Sequence, residues 1–176
     1  MSLLLPTAMV YFSKPVLLTQ GPHAGKVLKS YKFIKSKNIC DELLAIHKEY
    51  VPQLEGAGIN IPSTEAEVIE LNGKYSIRIY QKAFPADTMA RKMMQTGNLD
   101  ECLLVFGGVL SGAITALNYL NQHPNINMGF HPTLRNYAVV CDKFCYFDTF
   151  PPMANPTQNE LEWYNGITEQ ALNWLG

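Results

Sequence analysis

The side chains able to do chemistry gather in one stretch, Gly129 to Pro152, which reads GFHPTLRNYAVVCDKFCYFDTFPP. It holds His131, Arg135, Asn136 and Asp148. Two β-rich runs, Tyr137–Cys141 and Phe144–Phe147, flank a turn at Asp142-Lys143 and predict a hairpin. Paired antiparallel strands of similar length set the two ends of a hairpin side by side. An amide oxygen from Asn136 and a carboxylate from Asp148 then converge. That donor pair suits Mg²⁺, a hard cation that takes few protein oxygens and keeps several waters. The plainer alternative stays open: an ordinary hairpin, since Asn and Asp favour turns for their own reasons. Arg135 could reach a phosphate or an acidic substrate, or pair with a nearby carboxylate.

Other chemistries fit less well. The four histidines form no HExxH and no i, i+4 pair, which argues against zinc. Ser111 lacks a glycine two residues before it and follows no strand, so it is no nucleophile elbow. Four cysteines form no CxxC; Cys141 and Cys145 leave a disulfide across the turn open, with reduced cysteines in a cytoplasmic protein the preferred reading. Apolar residues make up 47% of the 176 residues, charged residues 16%, and the net charge is −1. A chain with no basic excess is a poor nucleic-acid binder. The start, MSLLLP, has no positive leader and is too short for a signal sequence. Leu99–Leu120 comes nearest to a membrane span but carries Asp100, Glu101 and Asn118, so no membrane partner is expected.

The elements that must position these residues follow from periodicity. Met9–Phe12, Val16–Thr19 and Lys26–Ile34 read as strands, with turns at Ser13-Lys14-Pro15 and Gln20–Gly25. Alternation puts Val27, Lys29 and Tyr31 on one face. A helix over 39–54, capped by Asn38 with Asp41 three residues on, carries Ile39, Leu43, Ile46, Tyr50 and Leu54 inward, with Pro52 and Gly56 near its end. Glu65–Leu71 and Lys74–Tyr80 form a hairpin about Asn72-Gly73. Ala86–Thr96 is a polar helix. Leu99–His123 is the longest helix, and its stripe of Phe106, Leu110, Ala113, Leu117 and Leu120, widened by Leu103 and Ile114, predicts a buried pillar. A last helix opens at Thr157 or Asn159, with Leu161, Tyr164, Ile167, Ala171, Leu172 and Leu175 on its apolar side.

This order of elements resembles the protein-kinase-like fold, nearest the aminoglycoside and choline phosphotransferases, over roughly residues 8–152. GFHPTLRN and YFDTF fall in register with the family's HxDxxxxN loop and its metal-binding Asp segment. The resemblance implies an α+β, two-lobed fold. Residues 1–85 would be an N-lobe of antiparallel sheet plus helix 39–54. Residues 86–176 would be a shortened, mostly helical C-lobe holding the catalytic-loop hairpin 129–150. It implies ATP and Mg²⁺ as ligands, Asn136 and Asp148 on the metal, and Lys29 on the α/β-phosphates. Glu49 is the first choice for the partner of Lys29, Glu42 the second. Lys82 to Phe84 would be the connector that reads adenine.

Three departures matter. His131 stands where the family has the Asp that accepts the acceptor hydroxyl's proton. Imidazole serves as a base near neutral pH, so His131 could do this work, or it could mark a loop whose activity was lost. No glycine-rich loop is present. Only about 24 residues follow Pro152, fewer than the family's later helices need. Two readings result: an ATP-dependent phosphotransferase acting on a small molecule or peptide, and an inactive pseudokinase-type module that binds a protein partner. The short C-terminus predicts exposed apolar surface, covered either by the last helix or by a second copy in a homodimer.

Overall fold

A computed structural model describes residues 15–34, 36–150 and 152–154. The chain is α+β. β1 (Val16–Leu17), β2 (Lys26–Ile34), β3 (Thr64–Leu71) and β4 (Lys74–Lys82) form an antiparallel sheet in the order β1-β2-β4-β3. Asn72 and Gly73 both take positive φ, 53° and 69°, as the tight hairpin requires. Register sets Lys29 opposite Ile79 and Ile79 opposite Ala66. Tyr31, Ile77 and Val68 form the next row on the same face.

That face packs on α1 (Lys37–Gly56) through Cys40 and Leu43, with Phe150 completing the cluster. The helix is longer than periodicity predicts, because Pro52 neither ends it nor stops Gly56 from joining it. Ser36 precedes the first turn and makes no side-chain cap; Asp41 pairs with Lys37 at 2.6 Å instead of boxing Asn38. The inward row is Cys40, His47, Tyr50 and Leu54; Tyr50, Leu54 and the partly buried Leu43 belong to the predicted stripe, while Ile46 faces out.

The second half of the chain departs from expectation. The predicted helix 86–96 breaks at Met89, whose extended backbone bridges to Ala138. Only α2 (Ala90–Thr96) follows, then α3 (Leu99–Gln122). Helices of 7 and 24 residues leave more than half of residues 86–154 outside α-helix, so this part is not mostly helical. The rest is a hairpin, β5 (Tyr137–Val140) with β6 (Lys143–Tyr146), two single 3₁₀ turns and extended loops. The hairpin turn is Cys141-Asp142, one residue earlier than predicted, with φ of 49° and 60°.

The α3 helix opens with a capping box: Asn98 accepts from the Glu101 amide, and Glu101 accepts from that of Asn98. Its buried residues are Val105, Val109 and Ala116. A Cβ on Gly108 would stand 2.1 Å from the Phe144 ring, and one on Gly112 would stand 3.3 Å from the Tyr137 hydroxyl. Small residues therefore make the packing face, because hairpin rings lie directly on helix backbone. The predicted buried stripe is instead largely exposed: Phe106, Leu110 and Leu117 are 56%, 48% and 60% accessible. The strand expected at Met9–Phe12 and the last helix lie outside the described residues.

Candidate functional site

The hairpin does bring its ends together. Asn136 closes a 3₁₀ turn just before β5, and Asp148 lies two residues beyond β6. The Phe147 amide donates to the Asn136 carbonyl at 3.0 Å, extending the pairing past the strand ends. Asn136 Nδ2 then donates to Asp148 Oδ2 at 2.9 Å and to the His131 carbonyl at 3.1 Å. One buried amide thus fixes both the loop and the carboxylate.

The loop is held from both halves of the chain. The Tyr50 hydroxyl, from α1, donates to the Gly129 carbonyl at 2.8 Å. The His131 amide donates to the Tyr146 hydroxyl at 3.2 Å. Burial pushes the Tyr146 phenol far above its ordinary range, so it serves as a neutral hydrogen-bonding strut.

Lys29 reaches this place from β2. Its Nζ donates to the Phe147 carbonyl at 2.7 Å and lies 5.1 Å from the centre of the Phe147 ring. Burial pulls its pKa from 10.5 down to about 8, against the opposing pull of Asp148. Burial likewise raises the Asp148 carboxyl above its usual value, although Lys29, His131, Arg135 and the Asn136 bond all oppose it. Among the described residues no ion pair within 4 Å joins Lys29 to Asp148. Each is therefore under-compensated for its burial: the amine would gain from an anion, the carboxylate from a cation.

The remaining predicted residues divide. His131 and Arg135 are exposed, and both bear electrostatically on Asp148. Phe84 is half-buried, its ring 6.3 Å from that of Phe147. Lys82 ends β4 in an exposed position. Glu49 and Glu42 are exposed on α1, and neither forms an ion pair with Lys29 among the described residues. The inward position on that turn belongs to His47.

Apolar periodicity does not single out His47, although Leu43, His47, Tyr50 and Leu54 are spaced at four, three and four residues. His47 Nε2 lies 3.3 Å from Thr149 Oγ1, which also accepts from Gln81 Nε2 at 3.3 Å. The hydroxyl can accept from Gln81 while donating to His47. Burial lowers the His47 pKa from 6.5 to about 4, so its ring is neutral. Gln81, at the end of β4, also donates to Thr64 at 3.0 Å. This buried network ties α1 and the sheet to the residue after Asp148.

Asn136 and Asp148 both carry oxygens of the kind a hard divalent cation takes. Asn136 meets Asp148 through its amide nitrogen, and burial keeps the carboxyl above its usual value although Lys29, His131 and Arg135 partly offset it. Among the described residues no three His, Cys, Asp or Glu side chains gather as a site for a metal ion.

The sequence profile of DUF6206, a family of unknown function, matches residues 7–164. The chain belongs to the DUF6206 family. Every residue of this site falls within the DUF6206 match. No curated protein matches the chain significantly.

Proposed function

We propose that this DUF6206 protein is a kinase-like Mg-nucleotide-binding protein with capacity for weak ATP-dependent phosphoryl transfer. The observation that carries the reading is the junction of Lys29 with Asp148. An amine and a carboxylate from distant parts of the chain lie close enough to act on each other electrostatically, each under-compensated for burial. A phosphate beside the ammonium and a cation beside the carboxylate would relieve both.

The topology supports a kinase-like N-lobe: β4 lies between β2 and β3, and α1 connects those two flanking strands on the lysine face. Asn136 and Asp148 would hold Mg²⁺, which supplies charge neutralisation for the phosphates. Lys29 would clamp phosphate oxygens by exchanging its bond to the Phe147 carbonyl for stronger, charge-assisted ones. Phe84 and Phe147 present aromatic surface where the nucleobase would lie. His131 would take the proton of the acceptor hydroxyl, and Arg135 would attract an anionic acceptor.

A second reading, an inactive module that binds a partner, draws support from two features. Lys29 Nζ is already bonded to the Phe147 carbonyl, and neither Glu49 nor Glu42 holds it out for a ligand. Thermal-shift titration with ATP, with and without Mg²⁺, tests the proposal. Mg-dependent stabilisation is the expected result. No response to either ligand overturns nucleotide binding and favours the partner-binding module.

A further inference from the structure

The largest feature that the candidate site leaves unexplained is the outer face of α3. Leu99, Leu103, Phe106, Leu110, Ile114 and Leu117 are all between 48% and 73% exposed. They recur at steps of three and four residues, the spacing of a seam that receives the side chains of another helix. The seam runs about 27 Å at 1.5 Å per residue.

Where the described chain ends suggests what covers it. Ala154 bridges antiparallel to Met128, and the Gly129 amide donates to the Met153 carbonyl at 2.7 Å. Met128 lies six residues past Gln122, the last residue of α3, and a turn from Ile126 to His123 keeps that connection tight. The described chain therefore ends, at Ala154, beside the segment that follows the C-terminal end of α3. The residues that follow carry Leu161, Tyr164, Ile167, Leu172 and Leu175 at helical spacing. Eighteen residues, 158–175, make a helix of about 27 Å, the length of the seam.

We infer that residues 157–175 of this same chain fold as a helix and lie antiparallel along the exposed seam of α3. Attachment at one end makes this docking intramolecular, so it needs no second molecule's concentration.

The chain's two tryptophans, Trp163 and Trp174, both lie in this segment, so intrinsic tryptophan emission of the intact protein reports on it alone. The expected result is short-wavelength emission, shielded from acrylamide, unchanged by dilution, with a monomeric mass by light scattering. Leu110→Glu and Leu117→Glu should each shift the emission to longer wavelength and raise quenching. Both replace exposed residues, so α3 loses no buried contact. Leu110→Ala should move the emission in the same direction by less, and guards against a glutamate variant that fails to fold. Leu71→Glu, as exposed but on β3, should leave it unchanged. Emission insensitive to the α3 variants overturns the inference. A dimeric mass with concentration-dependent emission overturns it in favour of a second copy. Emission that shifts only on adding phosphatidylglycerol vesicles overturns it in favour of a lipid surface.

Discussion

The Asn136 amide donates to the Asp148 carboxylate at 2.9 Å, and the same nitrogen holds the carbonyl of His131. The carboxylate is therefore pre-positioned before any ligand arrives. Asp148→Ala should abolish the Mg-dependent part of the ATP thermal shift, because the site keeps no anionic oxygen for the cation. Persistence of that part would place the metal elsewhere.

His131 bears on Asp148 from an exposed position. His131→Ala should leave Mg-ATP binding intact and lower any turnover by about 10²–10⁴-fold, the usual contribution of a general base. Calorimetry for binding, alongside ADP release for turnover, separates the two effects. Unchanged turnover would make Arg135 the next residue to test.

In the proposed role, Lys29 would bind phosphate only as the ammonium. With its pKa near 8 in the free protein, affinity for ATP should fall as pH rises through about 8, approaching tenfold per pH unit above it. Titrations at several pH values check the slope. Lys29→Met should bind weakly and lose that dependence.

His47 is neutral when folded, with a pKa depressed from 6.5 to about 4. The unfolded chain binds the extra proton between those values, so stability is present above pH 6.5 and is lost as pH falls toward 4. The loss should reach about 3 kcal/mol. Asp148 works in the opposite sense, since its raised pKa favours the folded state as it protonates. Urea denaturation of wild type and His47→Gln at pH 7 and pH 4.5 isolates the histidine: the variant should show the smaller acid loss.

Two adjacent glycines of α3 should respond with opposite signs. Gly108→Ala drives a methyl group into the Phe144 ring and should destabilise by about 1–3 kcal/mol. A Cβ on Gly107 would meet nothing within 4 Å, and the residue is exposed, so Gly107→Ala should stabilise by about 0.5–1 kcal/mol. Thermal melts of the two variants check the signs.

Much of the fold and of the candidate site is legible in the sequence, and the failures share a cause. Alternation places Lys29 on the face that packs against α1, and Asn72-Gly73 marks its turn, because pleat and turn chemistry are local. The convergence of Asn136 and Asp148 follows from hairpin geometry alone. Helix faces are misjudged where small residues pack best. In α3 the large apolar residues look like core, yet Gly108 and Gly112 let Phe144 and Tyr137 approach the backbone, and those partners lie far along the chain. Met89 leaves its helix for a bridge to Ala138, a tertiary preference no local pattern contains. The bond from Lys29 to Phe147 is equally invisible, since a backbone carbonyl carries no sequence signature.

Thr149 is almost wholly buried, and its single hydroxyl serves both His47 of α1 and Gln81 of β4. Separating the sheet from the hairpin would strand three polar groups in a dry interior, at about 1–3 kcal/mol for each group left unsatisfied. The sheet that carries Lys29 and the hairpin end that carries Asp148 are consequently latched together, and neither can part from the other without first opening that latch.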